Sequence, residues 1–328
     1  MSTLHLIKSF FLKPVLRGLD HRSVDSKKYL RASGLHQFDI NNQENYLPAQ
    51  FVYSFMKNVS KTEQIRNLGS FLLNDLKFGK LSNWGDMIIS TPDLFTSMKT
   101  GARYNHVLCT HQRAEFHING NTASYSWTYN DKEMEGRDQV DYLNLFYAID
   151  GIRVGAGSKW TPLEIHTICS DLPDLENLLP YESNTVVRTN CKRSGIVFKT
   201  SLLTTPMNDK SRVKSDYSEE HLNIQGEIQS ILNAWKGETL PLVDVIAEMA
   251  LMSRATLYRK LLNQGTSYFE IVDNWRCTQA LKILSENDYH SIKEISQKLK
   301  YSSCSNFERS FKRWTGTTPG RFRDSIRS

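Results

Sequence analysis

The sequence of 328 residues is short of the features that mark several large classes of protein. Its five cysteines (Cys109, Cys169, Cys191, Cys277 and Cys304) form no CxxC pair and no even-numbered framework. That excludes a disulfide-stapled scaffold and predicts reduced thiols. No stretch approaches the roughly 20 apolar residues that span a bilayer. The apolar surroundings of Phe10 and Phe11 are broken by Lys8, Lys13 and Arg17, and no small-residue cleavage site follows, so this is not a signal sequence. A soluble, cytoplasmic protein with no membrane partner is expected. GxSxG, Walker and dinucleotide-binding motifs are absent; neither an enzyme nor a cofactor is expected. His106, His111 and His117 are the only histidine cluster. Spread over strands and a loop, they suit local hydrogen bonding better than a metal, and no metal site is expected.

What is present is ample apolar content and unevenly spread charge. Hydrophobic residues make up 39% and aromatics 11%, enough for real cores, and the length suggests two domains at a soft prior of ~150 residues each. Net charge is +6, and from Leu251 to the C-terminus 14 Lys and Arg stand against 7 Asp and Glu. The last quarter therefore carries the whole excess, which points to a polyanion as its partner.

From Ser291 to Arg323 the pattern is two short helices and a tight turn, then a basic end. Ile292, Ile295 and Leu299 fall at helical spacing, Tyr301-Ser302-Ser303 interrupts it, and Phe307, Phe311 and Trp314 resume it. Ser302 or Ser303 is a natural N-cap. Arg309, Lys312 and Arg313 take the opposite face of the second helix. Gly316 stops that helix and Pro319 keeps it stopped. The pattern also stands upstream: Val243, Ile246 and Ala250 precede Ile292, Ile295 and Leu299 by 49 residues, and Leu257, Arg259 and Leu261 precede Phe307, Arg309 and Phe311 by 50. Two diverged helix-turn-helix units follow, each with a second helix suited to a DNA major groove.

Residues from about 222 to 328 resemble the DNA-binding domain of AraC/XylS-type transcription regulators. The resemblance rests on Ala247, Met252-Ser253, Leu257 with Arg259, Gly265-Thr266-Ser267, and Arg276 with Ala280-Leu281. It continues through Ile295, Tyr301, Phe307, Phe311-Lys312-Arg313-Trp314, Gly316, Pro319 and Phe322-Arg323. It implies an all-α domain with units at about 242–262 and 291–314, double-stranded DNA and RNA polymerase as partners, and the role of an activator. In the first unit the helices are placed at Leu242–Ala250 and Ser253–Leu262, with Ser253 as cap. Arg259 is the candidate for a bidentate contact to guanine, with Arg254, Ala255, Thr256 and Tyr258 on or beside the same face. In the second unit the family pattern carries base contact to Cys304, Ser305 and Arg309, with Asn306 adjacent. Lys260, Lys312, Arg313 and Arg321 are assigned to phosphates, which set affinity rather than sequence. Phe269, Trp275, Trp314 and Phe322 are assigned to the core. A helix over Ser267–Leu284 would be about 27 Å long, against about 34 Å between successive major-groove faces, so one chain could set two recognition helices on one side of a duplex. The family usually has Gly in each turn, where φ is positive; Leu251 and Lys300 stand there, and Ser296 replaces the usual Ala of the second unit.

Residues 1–207 are expected to form one α+β domain. Residues 1–38 look mostly helical, with breaks near Pro14 and at Ser33-Gly34. A helix starts near Pro48, and a longer one runs from Thr62 to Phe78 with Ile65, Leu68, Leu72, Leu73 and Leu76 inward. The apolar Met87–Ile89 leads to a helix that starts at Thr91-Pro92-Asp93 and ends before Gly101. Val107-Leu108, Glu115–Ile118 and Ser124–Tyr129 look like strands, with Asn119-Gly120 as a hairpin signal. An amphipathic helix spans Gln139–Arg153, and strands return at Leu163–Cys169, Thr185–Arg188 and Gly195–Lys199. The polar residues 208–221 are the expected linker. This order resembles the arabinose-binding-like effector domain of the long AraC relatives, the branch with ornithine-utilisation regulators. The matching residues are Arg17-Gly18-Leu19-Asp20, Tyr29-Leu30, Gly34-Leu35, Leu47-Pro48, Ser90–Tyr104 and Leu203–Met207. The resemblance implies a small-molecule effector and a homodimer through this domain, and no residue identifies the effector. The alternative is a domain that only dimerises or binds a protein. An alkyl-transferring DNA-repair enzyme, sometimes fused to AraC-type domains, needs a zinc-activated four-cysteine site, for which Cys109, Cys169 and Cys191 are too dispersed.

Overall fold

In the computed structural model, which describes residues 4–73, 82–130, 134–175, 178–179, 183–207, 221–286 and 290–327, the chain divides into two units, Met1–Leu222 and Asn223–Ser328. The first opens with β1 (Leu6–Lys8), α1 (Lys13–His21), α2 (Ser26–Ala32), β2 (Tyr46–Pro48), α3 (Ala49–Thr62), α4 (Asn83–Ile89) and α5 (Leu94–Arg103). Strands β1 and β2 pair antiparallel. Then come β3 (Gln112–Asn119), β4 (Thr122–Tyr129), α6 (Arg137–Ala156), β5 (Glu164–His166), β6 (Val186–Arg188) and β7 (Ser194–Lys199). They build a five-stranded sheet in the order β3-β4-β7-β5-β6, antiparallel except for β5 against β6.

Local chemistry accounts for the main features. The β3–β4 hairpin closes with Asn119 opposite Thr122, leaving Gly120 and Asn121 as a two-residue loop, and Gly120 takes φ 57°. That is the left-handed backbone such a turn requires and glycine adopts without strain. Asp93 caps α5, its carboxylate accepting from the Thr96 amide. The keystone is Asp141 on α6, fully buried. Its Oδ1 accepts from Trp127 Nε1 at 2.8 Å and Tyr129 Oη at 3.2 Å on β4. Its Oδ2 accepts from Ser194 Oγ at 2.6 Å on β7 and Thr167 Oγ1 at 3.0 Å just past β5. Burial pushes this carboxyl's pKa up, and the four donors pull the other way. One side chain thus fixes the central helix against β4, β7 and the segment just past β5.

Several sequence expectations are corrected. No single helix runs from Thr62 to Phe78: α3 ends at Thr62, Gln64 turns to φ 55°, and a 3-10 segment follows at Leu68–Leu73. Residues 74–78 of that expectation lie outside the described residues. Pro14 does not break a helix but sits in the first turn of α1, where its missing N–H has no partner to lose. Leu6–Lys8 is extended rather than helical, Met87–Ile89 belongs to α4, and α5 runs through Gly101 to Arg103. Val107 ends a 3-10 turn instead of forming a strand with Leu108. Helix α6 is less one-faced than expected: Gln139 to Leu143, Leu145 to Tyr147, Ile149, Gly151 and Ile152 are all buried. The expected linker falls almost wholly on residues 208–220, outside the described residues.

The second unit is all helical. Its elements are α7 (Ile224–Ala234), α8 (Val243–Met249), α9 (Arg254–Asn263), α10 (Tyr268–Ser285), α11 (Ile292–Lys298), α12 (Cys304–Thr315) and α13 (Pro319–Arg327). Pro319, expected only to keep the preceding helix stopped, begins α13, and Phe322 on that helix packs with the core of Ala280, Leu284, Ile295, Leu299, Phe307 and Phe311. Helix α7, with Ile224, Ile228, Ile231 and Leu232 buried, is an element the sequence reading did not place.

Replacing Asp141 by Ala should lower stability by roughly 3 kcal/mol, because donors on β4, on β7 and just past β5 lose their acceptor together. In calorimetry of the full chain that is a fall of about 6–12 °C in the first unit's transition. A transition within a degree of the parent's would overturn the keystone role.

Candidate nucleic-acid interface

The two helix-turn-helix units close their turns with the same pair of bonds. Helix α8 ends where the Leu251 amide donates to Glu248 O at 2.9 Å and the Met252 amide to Ala247 O at 3.0 Å. Helix α11 ends with Lys300 N to Gln297 O at 2.9 Å and Tyr301 N to Ser296 O at 3.0 Å. Both are paired closing bonds around one left-handed residue, the motif that usually recruits glycine. Leu251 has φ 51° and Lys300 φ 58°. A residue with a Cβ adopts that backbone at a cost of roughly 1–2 kcal/mol. The buried inner faces hold it there: Ile246, Ala250 and Leu257 in the first unit, Ile295, Leu299 and Phe307 in the second. Ser296 is buried too, and its hydroxyl donates to Lys293 O at 2.8 Å, so the extra oxygen is satisfied within its own helix.

Beyond each turn a serine restarts the chain as a helix. Ser253 accepts from the Thr256 amide and Ser303 from the Asn306 amide, each at 3.2 Å. Ser302 is the extra residue that changes the offset between units from 49 to 50. Six residues past each cap stands an exposed arginine, and each leans on the side chain three residues before it. Arg259 Nη2 donates to Thr256 Oγ1 at 3.3 Å, and Arg309 Nη2 donates to Asn306 Oδ1. Asn306 is itself held by donating to Ser302 Oγ at 3.0 Å. Ala255, Tyr258 and Ser305 are exposed beside them, while Cys304 is half-buried with its thiol 4.0 Å from Glu308. Arg254 is occupied: it pairs with Asp244 at 3.2 Å, donates to Tyr258 Oη at 3.2 Å and lies 5.3 Å from that ring's centre.

Lys260, Lys312 and Arg321 are exposed. Arg313, also exposed, pairs with Asp273 on α10, and Trp314 Nε1 donates to the same carboxylate at 3.1 Å. Arg313 is therefore a tie between α12 and α10. Arg276 has a role that its family position alone did not reveal. Its guanidinium donates to Leu299 O at 3.1 Å and Lys300 O at 3.0 Å, and lies 4.1 Å from the Tyr301 ring centre. A cation there satisfies the free carbonyls at the end of α11. Phe269 is not in the core; it is 67% exposed and lines a groove with Asn306 and Arg309. Spacing carried the signal: Phe269 is two residues from the buried Ile271, which puts it on the far side of α10.

Helix α10 is the 18-residue spacer, with Ser267 and Glu270 forming a reciprocal cap. Helix α7 locks onto it, because Asn233 Oδ1 accepts from Trp275 Nε1 at 2.7 Å and Gln279 Nε2 at 3.3 Å. Among the described residues no three His, Cys, Asp or Glu converge as metal ligands. His111 is buried between Tyr53 and the stacked ring of His5, and burial holds its pKa well below the usual value. The His106 ring lies 4.4 Å from that of His221, tilted by 46°, and His117 pairs with Glu115. None of the five cysteines is joined in a disulfide. No helix among the described residues is long and apolar enough to cross a membrane.

Paired helix-turn-helix units with exposed, cationic second helices define a DNA-binding transcription regulator. Residues 246–325 match the family model of a helix-turn-helix domain, and residues 24–207 that of the arabinose-binding domain of AraC transcription regulators. The chain belongs to the AraC family of transcription regulators. It is similar to an uncharacterized HTH-type transcriptional regulator, YtdP, of Bacillus subtilis, 32% identical over 125 residues, 38% of this chain and 16% of that one. The ornithine utilization regulator of Pseudomonas aeruginosa is 31% identical over 98 residues, 30% of this chain and 28% of that protein. Among solved structures, the transcriptional regulator CdpR from Pseudomonas aeruginosa aligns over 96% of this chain and 98% of its own, with 16% identity and a TM-score of 0.40. The chain thus spans less than a third of the length of the two sequence relatives named here.

Lys300→Gly should raise the stability of the second unit by about 0.5–1 kcal/mol, the relief of the left-handed residue less the entropy glycine adds to the unfolded chain. The transition should rise by a few degrees, and Lys300→Ala should give no rise. A lowered transition for the glycine variant would show that strain is absent from this turn.

Proposed function

We propose that this regulator reads two short DNA segments about one helical turn apart, one with α9 and the other with α12, and that it acts as an activator under the control of a small effector. The observation that carries this is the equivalence of the two units: the same closing bonds, the same serine cap, and an arginine at the same step of each second helix, oriented by the side chain three residues before it. A guanidinium held in this way matches the O6 and N7 acceptors of guanine. Ala255, Thr256 and Tyr258 in one helix, and Cys304, Ser305 and Asn306 in the other, flank that contact. Lys260, Lys312 and Arg321 neutralise phosphates. Arg254 and Arg313 reach the duplex only by sharing or leaving Asp244 and Asp273. In this reading residues 1–207 form the effector and dimerisation domain, 208–221 the linker and 222–328 the DNA-binding domain, and RNA polymerase is the protein partner.

The test is selection of duplexes from a random pool by the full chain, with Arg259→Ala and Arg309→Ala beside it. Two motifs about one turn apart are expected, each relaxed by its own substitution at a position worth about 1–3 kcal/mol of discrimination. Lys312→Ala should leave the motif intact and lower the slope of log affinity against log salt by about 1. A single motif lost equally in both arginine variants would refute the two-segment reading.

A further inference from the structure

The first unit holds a half-open cavity that the DNA-binding machinery does not use. Elements from across the unit wall it: Phe10 from the N-terminal segment, Trp84 from α4, Met98 from α5, Tyr125 and Trp127 from β4, and the Asn144–Gly151 face of α6. The space open to the centre of a water molecule is about 50 Å³, room for about three or four waters or one small organic molecule. Among the described residues of the wall, Ser97 and Gln112 each carry a buried polar atom with no hydrogen-bond partner. Ser97 is fully buried and its Oγ has none; Gln112 is 4% exposed and its Nε2 has none. Gln112 is held in place from its other end, where Oε1 accepts from Asn105 Nδ2 at 3.1 Å. A buried donor left open costs on the order of 1–3 kcal/mol, and a ligand that accepts from it recovers that.

The lining also says what such a ligand is not. Among the described residues no Asp, Glu, Lys, Arg or His lines the cavity. A charged compound would lose its hydration with no counter-charge to replace it. A sugar would bring four or five hydroxyls against walls that are mostly aromatic and aliphatic, leaving several unpaired. A hydrocarbon ring suits the walls formed by Phe10, Trp84, Tyr125 and Trp127. One acceptor oxygen on that ring suits Gln112 Nε2, and the Ser97 hydroxyl can donate to it or accept from a neighbouring group.

We propose that this cavity binds an uncharged, mainly hydrocarbon small molecule carrying a carbonyl-type oxygen, which accepts from Gln112 and meets Ser97. The proposal rests on the effector-sensing reading and gives that effector a site and a chemical class.

The test uses the full chain with acetophenone, a neutral ring ketone, and toluene, the same ring without the oxygen. L-Arabinose, L-ornithine and benzoate serve as polar and charged comparisons. Acetophenone should bind saturably and raise the first unit's melting transition. In Gln112→Leu its affinity should fall about tenfold while that of toluene holds; Asn105 keeps the Gln112 main-chain carbonyl at 3.4 Å in that variant. Ala148→Phe, which fills the wall of α6, should lose both ligands while melting cooperatively. The proposal falls if neither ring compound saturates the parent, which would leave the cavity to water, or if Gln112→Leu binds acetophenone as tightly as the parent. Binding of acetophenone that leaves DNA affinity unchanged would uphold the cavity and overturn effector control by it. Arabinose, ornithine or benzoate altering DNA affinity while acetophenone does nothing would uphold effector control and overturn the cavity.

Discussion

Everything the second unit presents to DNA depends on one backbone constraint, a left-handed residue between two helices. A helix-turn-helix must stop one helix and aim the next within a few residues. The paired closing bonds at Leu251 and Lys300 do this, and they close only if φ is positive at those residues. Neither residue favours that backbone. What imposes it is burial on both sides of the turn: the inner faces of α8 and α9, and of α11 and α12, bring more apolar surface out of water than the strain of one residue can oppose. Arg276 adds a second restraint in the distal unit by holding the carbonyls of Leu299 and Lys300. The direction of each recognition helix is therefore fixed by core packing, and its outer face is left open for the duplex.

The same division of labour explains which charges are available. Arginines at the seam between helices are consumed by the fold: Arg276 by the end of α11, Arg313 by Asp273, Arg254 by Asp244. Among the described residues, Arg259 and Arg309 each donate to a neutral side chain of their own helix, Thr256 and Asn306. A neutral partner orients a guanidinium without neutralising it, so these two remain strong donors for a base edge.

The second unit was more legible in the sequence than the first because its determinants are local. Serine caps, Gly316 as a helix stop and apolar spacing over ten residues placed α8 to α12 to within a residue or two. Phe269 was misjudged by type, since a large apolar side chain was assigned inward although its spacing from Ile271 pointed outward. In the first unit the β3–β4 hairpin was legible from Asn119-Gly120. The helix expected from Thr62 does not form there because the chain turns at Gln64, at positive φ, with no glycine or proline to announce it. The spacing of Leu143, Phe146, Ile149 and Ile152 makes α6 look one-faced, since Asp141 and Gln139 are residue types that ordinarily face solvent. Both are buried, and only partners distant in sequence, such as Ser194 for Asp141 and the Arg66 carbonyl for Gln139, satisfy them.

Asp141 and the cavity lie on the same elements, and that bears on how an occupied cavity would act. Trp127 lines the cavity with its ring and donates its Nε1 hydrogen to Asp141. Asn144, Tyr147, Ala148 and Gly151, which form the α6 wall, follow Asp141 on the same helix. A ligand packed against Trp127 and that wall would press on both sides of the junction that ties α6 to β4 and β7. Interiors are close-packed and transmit displacement instead of absorbing it. Filling the space would therefore change the stability of the central helix against its sheet, and a ligand in this cavity shifts the regulator only through its different affinity for the two packings of that junction.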